Sequence, residues 1–377
     1  MAKRIASAPP VLAGYSYVRP LGSGGFADVF LYEQDMPRRV AAVKVLLADA
    51  VNREVLRTFN VEADISARLS AHPSIVTIYQ ASISADGRPY FAMEYCPDTM
   101  SARYKKAPLA LAEVLDTGVR IAGALETVHR AGLLHRDIKP SNVLINSLGA
   151  PVLADFGIAA AVVDEGDPET IAMSVPWSAP EILQEKVSGS IPSEIWSLGA
   201  TLYTLLSGRS PFERADRGSN SREDLTQRII KARYTALPVD GIPPIIDDIL
   251  ATSMERDPAK RFPSMAAFAE RLRWAQYELG ISPTAFEAAS AEWAAAAPVS
   301  FSDTTARGPV ITTVAPDSRR AARAAKQGSA PRERDDLPSP TRTKTRSPLV
   351  AGLIGALIGA VVLAGVGVGI LFSTGIL

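Results

Sequence analysis

Apolar positions recur along residues 12–280 in short runs separated by turn signals, the pattern of a folded domain mixing strands and helices. The run AAVKVLL at 41–47 is apolar except for one lysine and predicts a buried strand. Residues 111–131 carry a helical period and stop at Gly132, a C′ glycine. The alanine-rich stretch 281–297 predicts a short helical extension. Residues 298–347 are rich in Ser, Thr, Pro, Ala and Arg with almost no aromatics, so they bury too little apolar surface to offset ordering entropy and read as a disordered juxtamembrane linker. Residues 349–372 contain no charged side chain, and about 20 apolar residues in helix cross a bilayer core. They predict one transmembrane helix, followed by a short extracytoplasmic tail at 373–377.

Composition narrows the classes. Among 377 residues, 40 Lys plus Arg balance 40 Asp plus Glu, so no basic excess suggests a nucleic-acid partner. The lone Cys96 excludes an intrachain disulfide, and three histidines with one cysteine do not suggest a structural zinc site. The start, MAKRIASAPP, has no apolar run of a secretory signal. Arg342, Lys344 and Arg346 precede the apolar stretch, which places the folded domain on the cytoplasmic side of a cell membrane in a single-pass topology. Gly355 with Gly359, and Gly365 with Gly369, form small-xxx-small faces that would let two such helices pair as a homodimer.

Four motifs carry candidate chemistry. In LGSGGFADVF, Gly22, Gly24 and Gly25 let a backbone approach a ligand without a Cβ in the way, although a plain hairpin turn has the same composition. Lys44, inside the apolar run, needs an anionic partner because an unpaired buried ammonium is costly. Glu62 is the preferred partner, with Glu54 the competing acid. HRDIKPSN sets Asp137, Lys139 and Asn142 in order. A phosphoryl transferase needs these three kinds of group: a carboxylate to accept a hydroxyl proton, an ammonium to neutralise the migrating phosphoryl, and an amide to ligate a metal. Asp155, before Phe-Gly and after the apolar PVLA, offers a hard oxygen ligand suited to Mg²⁺.

As an ordered set, GSGGFADV, AVK, HRDIKPSN, DFG and APE resemble the eukaryotic-type serine/threonine protein kinase family, over roughly residues 15–278. The layout of kinase, linker and membrane helix looks like its bacterial membrane-anchored branch. The resemblance implies an α+β bilobal protein kinase fold, with a β-rich N-lobe and an α-helical C-lobe, spanning residues 12–280. It implies ATP as phosphoryl donor, Mg²⁺ with Mn²⁺ as a possible substitute, and protein substrates bearing serine or threonine, the chain itself included. Residue by residue, Leu21, Gly22, Ser23, Gly24, Gly25, Phe26, Ala27, Asp28 and Val29 cover the nucleotide. Ala42 lines the adenine pocket. Glu94 and Cys96 lie in the hinge, which spans residues 93–96. Lys44 holds the α- and β-phosphates and pairs with Glu62. Asp137 is the catalytic base, Lys139 assists it, and Asn142 and Asp155 bind the metal. Arg261 pairs with Glu181 at the end of the activation segment. Thr170 and Ser174 are the regulatory hydroxyls of that segment, with Arg136 as a phosphate dock.

The sequence departs from the pattern at three places. Met173-Ser174 stands where Gly-Thr usually precedes the end of the activation segment, with Ser174 keeping the hydroxyl. Ala27 replaces the third loop glycine. Glu194 stands where an aspartate usually anchors the catalytic-loop backbone, and its extra methylene is expected to loosen that anchor. A catalytically silent binding module is the main rival class, but it requires the loss of Lys44, Asp137, Asn142 or Asp155, and all four are present. A small-molecule kinase of the same fold is the second rival; such relatives generally lack HRDIKPSN and the APE segment.

Overall fold

The computed structural model describes residues 4–25, 27–155 and 175–289. Strands β1 (Tyr15–Ser23), β2 (Ala27–Asp35), β3 (Arg38–Leu46), β4 (Ile78–Ile83) and β5 (Pro89–Glu94) form an antiparallel sheet in the order β1-β2-β3-β5-β4. The central β3 is the predicted AAVKVLL strand. Its two-residue period sends Val43 and Val45 to one face, against Phe30, Tyr32 and Tyr90. Ala42 goes to the other face, toward Phe91 and Met93. Both faces are covered, which is why the run is apolar but for Lys44.

Helix α1 (Arg53–Leu69) starts at Asn52, whose side chain accepts the Val55 N–H. It packs on the sheet through Phe59, whose ring centroid lies 4.4 Å from that of Phe91. Burial of one such aromatic stabilises by about 1.5–3 kcal/mol, so Phe59 fixes the helix that carries Glu62.

The chain then passes to a second lobe. Strands β6 (Asp98–Thr99), β7 (Val143–Ile145) and β8 (Pro151–Leu153) make a small antiparallel sheet at its top. Below lie α2 (Met100–Tyr104), α3 (Leu111–Arg130), α4 (Pro180–Leu183), α5 (Ile191–Ser207), α6 (Arg222–Lys231), α7 (Pro244–Ser253) and α8 (Met265–Glu278). Helix α3 ends where its period stops, with Gly132 at φ +76°. Helix α5 begins with a reciprocal Ser190–Ser193 capping box and ends at Gly208, φ +76°. Helices α3, α5 and α8 meet around Val119, Leu125, Trp196, Leu198, Phe268 and Leu272. Gly118 permits the close approach: a Cβ there would lie 2.8 Å from Leu272 and 2.9 Å from Leu202.

The lobes are stitched behind the crossover. Leu153 N–H donates to Ser74 O at 2.9 Å, and Val76 N–H donates to Leu153 O at 3.0 Å. The strand preceding Asp155 is thereby tied to the loop after α1.

Residues 281–289 carry no helix, which corrects the expected helical extension over its described part. Their polar groups are taken up by C-lobe side chains and by His72 in the loop after α1. Thr284 bonds Gln276 and Asp116, Ala289 N–H donates to Thr127 Oγ1, and Glu287 O meets His72 Nε2 at 2.9 Å. No helix among the described residues is long and apolar enough to cross a membrane. The predicted linker, transmembrane helix and tail lie outside the described residues.

Candidate active site

The floor of the cleft is the loop between α3 and β7. Arg136 has φ +68°, a region non-glycine residues seldom adopt and one that costs about 1–3 kcal/mol unless the surroundings enforce it. Glu194 of α5 enforces it: Oε1 accepts the Arg136 N–H at 2.6 Å, and Oε2 lies 2.6 Å from His129 Nε2 on α3. Glu194 and His129 are both buried. The longer side chain therefore reaches its target and forms the anchor, contrary to the loosening expected from sequence.

On that loop, His135 bonds Ala154 O through Nε2 at 3.1 Å, and its Nδ1 accepts the Asp137 N–H at 3.3 Å. Burial holds the His135 pKa below its ordinary value. A neutral ring, protonated on Nε2, matches both bonds. The Asp137 carboxylate meets Lys139 Nζ at 2.7 Å and accepts from Asn142 Nδ2 at 2.9 Å. The three polar groups of HRDIKPSN thus converge on one point.

From above, Lys44 reaches Asp155: Nζ to Oδ1 is 2.7 Å. Burial works against the Lys44 charge, but Asp155 and then Glu62 outweigh it and hold the pKa above the ordinary value. In return, the Lys44 charge holds the Asp155 carboxyl below the usual range. Asp155 itself sits at φ +60°. No Lys44–Glu62 ion pair occurs among the described residues, which corrects the expected pairing. Glu62 lines the same cavity, along with Lys44, Phe91, Met93 and Asp155. Burial pushes Glu62 up to about 7, against the lowering effect of Lys44. The ammonium thus pairs with Asp155, and Glu62 feels it only at longer range.

The side of the cleft expected to take adenine is apolar. Ala42 and Met93 share one cluster with Leu21, Val29, Cys96 and Leu144. Leu144, from β7, was not singled out from sequence; the signal is an apolar residue two places after Asn142. Burial, with Glu94 nearby, pushes the Cys96 thiol up to about 12, so it is a protonated wall rather than a nucleophile. The Glu94 N–H is used by Thr77 O at 2.9 Å. Over the cleft, Gly24 N–H closes a turn onto Ala27 O at 2.9 Å, with Gly22, Ser23 and Gly25 around it. The Asp28 carboxylate is engaged by Ser7 and Arg4, so only its backbone belongs to this cover. Phe26, Thr170 and Ser174 lie outside the described residues.

At the far end, Arg261 and Glu181 form a buried two-pronged pair, Nη1–Oε1 2.6 Å and Nη2–Oε2 2.9 Å. Arg261 also lies 5.0 Å over the Trp196 ring.

The donor set fits a divalent cation that takes its other ligands from phosphate and water. Asp155 is held ionised. Asn142 spends its Nδ2 on Asp137 O and Oδ2, leaving Oδ1 with only a 3.4 Å contact from Ser141. One carboxylate and one amide oxygen suit Mg²⁺, which rarely takes an all-protein cage. No cluster of three His, Cys, Asp or Glu able to hold a metal occurs among the described residues.

Residues 15–272 match the family described as Protein kinase domain. The chain is similar to serine/threonine-protein kinase PknK of Mycobacterium tuberculosis, 38% identical over 283 residues, covering 72% of this chain and 24% of PknK. It is similar to PknJ of the same organism, 33% identical over 283 residues, covering 72% of this chain and 47% of PknJ. Against serine/threonine-protein kinase PrkC of Bacillus subtilis it is 32% identical over 254 residues, covering 66% of this chain and 38% of PrkC. The chain therefore spans about a quarter to a half of the length of these relatives. With a bilobal fold, the converged catalytic loop and this match over most of its length, the chain belongs to the protein kinase domain family.

Proposed function

We propose that this chain transfers the γ-phosphoryl group of ATP to serine or threonine hydroxyls of proteins, itself included. The observation that carries the reading is the convergence of Asp137, Lys139, Asn142, Lys44 and Asp155 on one cleft between two lobes. Asp137 accepts the proton of the incoming hydroxyl. Lys139, at 2.7 Å from Asp137, neutralises charge on the transferring group. Lys44 binds the non-transferred phosphates, and the apolar cluster around Ala42 and Met93 takes the base. Asn142 and Asp155 would hold Mg²⁺, which supplies neutralisation of phosphate charge. The preference for serine and threonine is supported by Lys139 in HRDIKPSN and by the names of the relatives.

The reading extends to the membrane. Residues 349–372 would anchor the chain as a single-pass protein with the kinase domain in the cytoplasm, supported by their composition and by Arg342, Lys344 and Arg346. Pairing of the glycine faces would raise local concentration and favour phosphorylation in trans, on Thr170 or Ser174. Labelled ATP incubated with the purified chain tests the chemistry: phosphoserine or phosphothreonine is expected, and label on tyrosine alone would overturn the substrate class. External protease on intact cells tests topology: the kinase domain is expected to stay uncut, and its digestion would reverse the orientation.

A further inference from the structure

The segment before β1 lies on the glycine turn through a connected polar network. Arg4 Nη2 donates to Gly24 O at 3.2 Å and to the Asp28 carboxylate. Ser23 Oγ donates back to Arg4 O at 3.0 Å. Ser7 gives both its N–H and its hydroxyl to Asp28 Oδ2, at 2.8 and 2.7 Å. From the other side, Arg88 donates to Ser7 Oγ at 3.0 Å and to Ala8 O at 2.9 Å, while Asp86 holds Arg88 at 2.6 Å. Tyr32 OH fixes Pro10 O at 2.6 Å.

Asp28 is the hub. Its side chain has no solvent exposure, although it lies near the start of β2, just after the glycine turn. A buried carboxylate requires partners. Here Arg4 and Ser7 supply them. Hydrogen bonds from Ser7 and Arg4 outweigh the effect of burial and hold its carboxyl below the usual range. The segment therefore meets the turn through Arg4 and Ser7, while Arg88 and Tyr32 hold its continuation at Ser7, Ala8 and Pro10. Arg4 binds the turn twice, at its tip through Gly24 O and at its base through Asp28, opposite the internal Gly24–Ala27 bond.

We propose that residues 4–10 are a strap that fixes the phosphate-covering turn, with Arg4 its positioning residue. The inference rests on the nucleotide-binding reading of the cleft. Nη2 of Arg4 bridges tip and base and holds them at one spacing, so the turn meets the phosphates already ordered. Loss of the bridge makes ordering part of the cost of binding ATP. The effect falls on nucleotide affinity rather than on proton transfer at Asp137.

The test uses the full chain with Arg4→Ala, Arg4→Lys and Asp28→Asn. Affinity is read with a fluorescent ATP analogue, KM and kcat with a generic protein substrate, and mobility by amide exchange at residues 22–29 without nucleotide. Arg4→Ala should weaken nucleotide binding and raise KM for ATP by about 3- to 10-fold, the size of one or two hydrogen bonds. It should leave kcat within about twofold and speed exchange in the turn. Arg4→Lys keeps a positive charge for Asp28 but loses the planar Nη2 bridge to Gly24 O and should fall between. Asp28→Asn should match Arg4→Ala in direction. Unchanged affinity and exchange in folded Arg4→Ala would overturn the strap. A wild-type chain that binds no nucleotide would overturn the functional reading instead, and amide exchange would still decide the strap.

Discussion

Arg261 makes two bonds to Glu181 and further ones to Pro192 O and Glu255 O, all inside the C-lobe. Removing one partner of a buried pair leaves an uncompensated charge, so Arg261→Ala should lower stability by about 3–5 kcal/mol in urea unfolding, and a loss below about 1 kcal/mol would show the pair is structurally idle. Glu62 gives a second residue-scale prediction. Burial raises its folded pKa from 4.5 to about 7, so the folded state holds more protons than the unfolded state between those values. Stability should therefore fall as pH rises from about 4.5 to about 7, and Glu62→Gln should flatten that slope. A wild-type slope of opposite sign, kept in the variant, would contradict the assignment. At this scale the sequence was readable wherever side chains come in a short motif. Asp137, Lys139 and Asn142 are neighbours in the chain and in space. The Lys44 partner was misread because Glu62 was weighed only against Glu54, whereas Asp155 lies 111 residues along the chain and reaches Lys44 only through the packing of the two lobes. His129 and Glu194 were invisible as a pair because they lie on different helices.

At the scale of elements, β3 and α3 were legible because their periods match the faces they bury. Residues 281–289 were not. Alanine content suggested helix, yet their backbone is captured by side chains of α3 and α8 and by His72. The capture depends on Gly123 in α3, where a Cβ would lie 2.2 Å from Glu287 O. Gly123→Ala should displace this segment, exposing Thr127 and His72 while raising the intrinsic propensity of the helix. Amide exchange should rise at residues 284–289 and near His72 but not in the rest of α3. Protection unchanged at 284–289 would show that the helix shifts instead. The strap at residues 4–10 escaped prediction for the same physical reason: side-chain-to-backbone bonds between remote segments leave no period.

Across the described residues, two lobes each bring half of the chemistry. Lys44 and the glycine turn come from the sheet, and the catalytic loop comes from the helical lobe, held by Glu194. Links between β8 and the loop after α1 hold Asp155 between the halves. The central claim is that Asp137 acts on a hydroxyl while the rest of the cleft binds nucleotide. The most direct measurement compares phosphoryl transfer and nucleotide binding in wild type and Asp137→Asn, with circular dichroism confirming the fold. Transfer should fall at least about 100-fold, the usual reach of a positioned general base, while nucleotide binding stays within about threefold. Wild-type transfer from Asp137→Asn, or loss of nucleotide binding in step with transfer, would contradict the account.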